Sequence, residues 1–320
     1  MNRSDRASGG ILMKAVSETF FDFDDSMDQS PIIHIVGVGT TGLRAVGKMT
    51  ARIHKVDCIG VQLASEELSG VTKALPIVTL PRTDRNSTVT VEPLMQIIEN
   101  SDLIFLVSDL REGFDSPLLD ICTAVRQRST TLLLVVPEDL DGNGQPIPMT
   151  QQATRLRTIV DGIIIVSGTS LTQFDLCAPK VFDDTTLHDY LIRLAIEKIT
   201  DIITTTSALC IDLADVLTVI RGPGVIRVGI GIASGTEKGI SATEKAFHAL
   251  KQQGTYSLAK TPRLLCCITG SGEMTMDDYN NVSRQLHDSV NEDTNIKIGI
   301  THNDEMGNNL MVTLWAAESE

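Results

Sequence analysis

Three glycines, Gly37, Gly39 and Gly42, stand at GxGxxG spacing where the apolar run 32–38 ends. Bare backbone amides at such a turn, opening onto a helix N-terminus, can cradle a phosphate. A dinucleotide site needs in addition an acid at the end of the second strand, to hold the ribose hydroxyls. That strand ends at Gln62-Leu63-Ala64, and Glu66 and Glu67 come several residues late. A nicotinamide enzyme is therefore disfavoured. The overlapping stretch 42–48 matches GxxxxGK, but Met49 stands where a Ser or Thr would ligate magnesium. The stretch also falls within the helix expected over 43–53, so a P-loop is rejected.

Other reactive side chains carry less. His34 lies inside a strand and is read as a packed or edge residue rather than a ligand. Cys58, Cys122, Cys177, Cys210, Cys266 and Cys267 have no CxxC spacing, which argues against both a zinc site and a disulfide framework and for a reducing cytoplasm. Adjacent Cys266 and Cys267 point to opposite faces of a strand and cannot readily pair. A net charge of −14 in 320 residues argues against a non-specific nucleic-acid binder, which needs a basic footprint. It argues equally against docking on anionic lipid through a polybasic patch. No apolar run reaches the roughly 18–20 residues of a membrane span.

The elements that must position these residues follow from periodicity. Runs at 32–38, 56–62, 75–80, 102–108, 130–137 and 161–167 are four to eight residues long and rich in Val and Ile. Intervening helical stretches make them strands of a mostly parallel sheet. Residues 185–207 read as one long amphipathic helix, with Leu187, Tyr190, Leu191, Leu194, Ile199, Ile202 and Ile203 on one face and Asp183, Asp184 and Thr185 as capping residues. Beyond it come a helix (213–221), a strand (226–232), a helix (237–252), a strand (264–269), a helix (275–290) and two strands (295–301 and 309–316). The expected division is a mobile acidic arm over 1–30, a nucleotide-binding-type Rossmann-like domain over 31–183, a central linking helix over 184–208 and a smaller α/β domain with a mixed sheet over 209–320.

Several ordered motifs then carry a resemblance. Asp212-Leu213-Ala214-Asp215-Val216-Leu217-Thr218-Val219 is similar to the synergy-loop run of the bacterial tubulin homologue FtsZ. Gly229-Ile230-Gly231-Ile232-Ala233-Ser234-Gly235, Ile268-Thr269-Gly270, Met274-Thr275, Thr294-Asn295-Ile296 and Asp304-Glu305-Met306-Gly307 resemble further stretches of that family, in the same order. The resemblance implies a tubulin/FtsZ-like α/β fold. It also implies GTP bound on the first domain and hydrolysed when two carboxylates from a neighbour's synergy loop, here Asp212 and Asp215, position water. The alternative is that Asp212 caps the following helix and Asp215 complements its dipole.

The nucleotide half departs from the family pattern. Its glycine-rich phosphate signature should follow the strand at 102–108, where the sequence reads Leu110-Arg111-Glu112-Gly113-Phe114-Asp115-Ser116. Losing three charge-assisted contacts there costs about 5–9 kcal/mol. The vestigial nucleotide set is thus Gly37, Gly39, Thr40, Thr41, Gly42, Arg111 and Gly113. The expectation is a pseudo-GTPase with no cofactor and no metal, a cytoskeletal or scaffold protein that self-associates or joins related subunits. The resemblance to divergent members with eroded sites implies membrane remodelling alongside a membrane-protein partner. The alternative is an active GTPase holding GTP or GDP through Arg111 and the Gly37–Gly42 loop. The sequence stops at 315–320, where an FtsZ-like core would stop, so reaching a bilayer is expected to need another partner or the phenylalanines of the arm.

Overall fold

The central strands form where the sequence is apolar on both faces. A computed structural model of the chain describes residues 30–49, 56–63, 75–81, 89–109, 115–128, 130–138, 155–168, 187–205, 211–222, 224–253 and 258–318. The first half supplies β1 (Ile33–Val38), α1 (Gly39–Gly47), β2 (Val56–Leu63), β3 (Ile77–Leu80), α2 (Glu92–Ile97), β4 (Leu103–Val107), α3 (Asp115–Arg126), β5 (Thr131–Pro137) and β6 (Gly162–Val166). Helices α4 (Leu187–Thr204) and α5 (Leu213–Ile220) follow. Then come β7 (Val225–Ser234), α6 (Lys238–Lys251), β8 (Arg263–Gly270), α7 (Met276–Ser289), β9 (Asn295–His302) and β10 (Asn309–Ala317).

All ten strands join one sheet in the order β3-β2-β1-β4-β5-β6-β7-β10-β8-β9. The first seven positions are parallel throughout, while β10 runs antiparallel between β7 and β8. The halves meet at a short parallel register, Ile163↔Val225 to Ile165↔Arg227. An ion-paired cluster ties the same junction: Arg227 bonds Glu138 beyond β5 at 2.5 Å and Glu318 beyond β10 at 2.6 Å.

Alternation along each strand divides the core. On β4, Leu103, Phe105 and Val107 pack with α1 and α4, whereas Ile104 and Leu106 pack with α2 and α3. A third cluster sets α6 and α7 against β7, β8 and β10. Being buried on both faces is what makes these strands read as continuous apolar runs.

Two expectations need correction. The helix after β1 begins at Gly39 rather than at Leu43, because Gly39 adopts φ 73 and turns the chain from strand into helix with no intervening loop. Helix α4 is not buried along a single face. Ile192, Ala195, Ile196, Lys198 and Thr200 are buried as well as Leu191, Leu194, Ile199 and Ile202, while Tyr190 and Ile203 are only partly so. The helix is enclosed by the sheet, α1 and α5, and an enclosed helix is apolar on most of its circumference. Its expected caps at 183–185 lie outside the described residues.

Candidate functional site

In an open α/β sheet the ligand crevice lies at the carboxyl ends of the strands where the order reverses. Here that point is between β1 and β4, at the start of α1. The glycines there serve packing directly. A Cβ on Gly37 would stand 2.4 Å from the Gly42 carbonyl oxygen, and one on Gly42 would stand 2.2 Å from the Val107 carbonyl oxygen. The two residues let α1 lie against β1 and β4. Thr40 is exposed and Thr41 buried.

Val38 at the helix start provides no side-chain cap. Instead the Thr41 hydroxyl, in the first turn, lies 3.5 Å from the carboxylate of Asp109 just beyond β4, itself only 5% exposed. An incoming anion at this helix start would sit beside that carboxylate. Asp109 does not stand out in the sequence, where its one signal is an acid directly after a buried strand. Arg111 and Gly113 lie outside the described residues, as do residues 82–88 and 169–186.

One turn into α1, Arg44 makes a two-pronged bond to Asp189 near the start of α4, at 2.5 Å from Nε and 3.2 Å from Nη2. Asp189 is 1% exposed. The pair fixes α1 to α4 across 145 residues of sequence, and nothing in the sequence singles out either residue.

The predicted acids lie elsewhere. Asp212 is the N-cap of α5, its Oδ1 accepting the Asp215 amide at 2.7 Å. Asp215, in the first turn, accepts Lys297 Nζ from β9 at 2.6 Å. Capping and dipole complementarity are thus both present. Lys297 does not stand out in the sequence, although period two along β9 puts it on the face of Gly299, which packs against Ile202 and Ile211. The two regions attach to opposite parts of α4: Asp189 is at its start, while Ile202 lies near its end. Thirteen residues of helix separate these by about 20 Å. Within one subunit, therefore, Asp212 and Asp215 do not join the crevice at α1.

Other groups are structural. Ser101 Oγ donates to the Ile98 carbonyl and lies 2.8 Å from His34 Nδ1, with Asp57 3.9 Å from Nε2. The hydroxyl proton is already committed, so the trio is no nucleophilic triad. Burial pushes the Cys58 and Cys122 thiols up to about 12, which leaves them unreactive. Among the described residues no group of three or more His, Cys, Asp or Glu could hold a metal ion, and no helix is long and apolar enough to cross a membrane.

Comparison with known proteins agrees with this architecture. Residues 224–319 match the FtsZ family, C-terminal domain. The cell division protein FtsZ of Buchnera aphidicola subsp. Baizongia pistaciae is 23% identical over 307 residues, covering 91% of this chain and 80% of the relative. That of Azotobacter vinelandii is 23% identical over 313 residues, covering 92% and 79%. The fold superimposes on a mutant FtsZ of M. jannaschii with a TM-score of 0.74, at 15% identity over 96% of this chain and 94% of the other. It superimposes on CetZ2 from Haloferax volcanii, a GTPγS-bound protofilament, with a TM-score of 0.64, at 14% identity over 90% and 93%. Residues 224–319 thus match the FtsZ C-terminal domain family, and the chain as a whole has the FtsZ/tubulin-like fold.

Proposed function

We propose that this chain is a cytoskeletal or scaffold subunit that assembles without a nucleotide switch of its own. The observation that carries the reading is Asp109: a buried carboxylate beside Thr41 in the first turn of α1, where the fold would seat a phosphate. The described residues of this crevice do not suit a polyphosphate. A carboxylate at that position disfavours a bound anion by like-charge repulsion. The bridge from Arg44 to Asp189 crosses from α1 to α4 and commits a further charged pair to structure. No hydrolytic step is assigned to this crevice.

The α5 end supports a docking role. Asp212 is exposed, and the side chain of Asp215 is 42% exposed despite its bond to Lys297. The chain therefore presents both acids on an accessible face while leaving its own phosphate position to a carboxylate. Such a subunit stacks on like copies through protein contacts, or caps a related subunit that does carry nucleotide. Similarity to an FtsZ dimer from M. jannaschii and to the CetZ2 protofilament supports self-association. Any part in membrane remodelling runs, in this reading, through a membrane-protein partner.

Electron microscopy of the purified chain with and without GTP tests the proposal. Assemblies indifferent to GTP, or absent in both conditions but appearing on addition of a nucleotide-bearing FtsZ-like subunit, are expected. Filaments that form only with GTP would overturn it.

A further inference from the structure

The ten-stranded sheet ends at β3 on one side and at β9 on the other. An edge strand presents a row of backbone N–H and C=O groups that can pair with another chain. The two edges differ in length: β3 has four residues, whereas β9 has eight, about 26 Å of extended backbone. The register of β9 against β8 is unbroken from Arg263↔Asn295 to Gly270↔His302, so no bulge twists this edge away. No proline lies within 295–302. The lysine of the strand, Lys297, is drawn to Asp215 at 2.6 Å and does not guard the edge.

Hydrogen-bond parity shows which groups face outward. The Asn295 amide donates to the Pro262 carbonyl at 3.0 Å, and the Asn303 amide donates to the Gly270 carbonyl at 2.8 Å. Odd-numbered residues of β9 therefore direct their N–H and C=O groups at β8. Alternation along the strand turns those of Ile296, Ile298, Ile300 and His302 the other way, along the edge. The three isoleucine side chains lie against the cluster under α6 and α7 and are only partly buried. They leave β-branched surface beside the outward backbone groups, ready to pair across to a neighbouring strand.

Charge at the two ends of β9 selects the occupant. Glu292 and Asp293 come shortly before the strand, Asp304 and Glu305 shortly after it, and all four are exposed. A second copy pairing through its own β9 would set acids beside acids in either strand direction, and like charges placed opposite one another are destabilising. An extended segment with basic residues at both ends gains attraction instead.

We propose that β9 accepts an extended segment of a partner protein as a further strand of the sheet, with β-branched residues at alternate positions and Lys or Arg at both ends. Main-chain bonds to Ile296, Ile298, Ile300 and His302 supply affinity, while the isoleucine surface and the flanking acids supply selectivity. The proposal rests on the sheet edge alone and holds whether or not the chain binds nucleotide or stacks on like copies.

Residue-resolved amide exchange of the full chain tests it, with the synthetic peptide Lys-Arg-Val-Thr-Val-Thr-Val-Arg-Lys as probe. Saturating peptide is expected to slow exchange at Ile296, Ile298, Ile300 and His302 by about tenfold or more. Lys297, Gly299 and Thr301, already directed at β8, are expected to change by less than about twofold. A peptide with Glu in place of its basic residues is expected to bind at least about tenfold more weakly. Glu292→Lys/Asp293→Lys, which alters only exposed side chains outside the strand, should weaken the basic peptide about threefold to tenfold, and less so at about 0.5 M salt. No slowing at the four outward amides, equal slowing in both sets, or indifference to both charge changes would overturn the proposal. So would protection of the four amides that grows with protein concentration in the absence of peptide, since it would place a second copy on the edge.

Discussion

The helix starts at Gly39 and at Leu213 both meet a carboxylate, but they obtain it in different ways. At α5 the acid is local: Asp212 caps its own helix, and Asp215 in the first turn is held by Lys297. At α1 the residue before the helix has no capping side chain, and the carboxylate comes from Asp109, 68 residues away from Thr41 and buried. A local, exposed acid can exchange partners at little cost, whereas a buried one set by core packing cannot. The contrast separates an exposed acidic helix start from one whose carboxylate is buried by the fold.

The largest expected effect breaks the buried side. Arg44→Ala leaves Asp189 without its guanidinium at 1% exposure, and urea denaturation should show a loss of about 3 kcal/mol. A loss below about 1 kcal/mol would mean that α1 is not anchored through this pair. Next is Gly42→Ala, whose new Cβ must displace a carbonyl only 2.2 Å away. A loss of about 1–3 kcal/mol is expected, measured by thermal melting with and without GTP, and unchanged by GTP. Restoration by nucleotide would show that the glycine serves a ligand instead.

Two smaller effects sharpen the exposed side. Asp212→Ala should lose about 1 kcal/mol of cap energy, whereas Asp212→Asn, an equally good cap, should lose almost none. GTP turnover that fell in both variants would instead support a catalytic role for Asp212. Lys297→Ala should cost about 0.5 kcal/mol, shrinking at high salt, since the pair is half-exposed. A cost insensitive to salt would argue that Lys297 acts through packing.

Much of the fold was legible because residues such as Leu103–Val107 and Leu132–Val136 are buried on both faces and so form unbroken apolar runs. The start of α1 is not legible in the sequence, because the glycine spacing suggests a loop that a single positive φ at Gly39 removes. The site was legible only in part. Asp212 and Asp215 stand in a recognisable run, and their bonds are local or explained by the alternation of β9. The contacts from Thr41 to Asp109 and from Arg44 to Asp189 depend on strand order and helix placement, over 68 and 145 residues. No local pattern marks either partner.

The central claim concerns the crevice at α1, and calorimetric titration of GTP with magnesium into the purified chain tests it most directly. The account predicts no saturable heat, with any Kd weaker than about 1 mM. Saturable binding with a Kd near about 1 μM or tighter would contradict it.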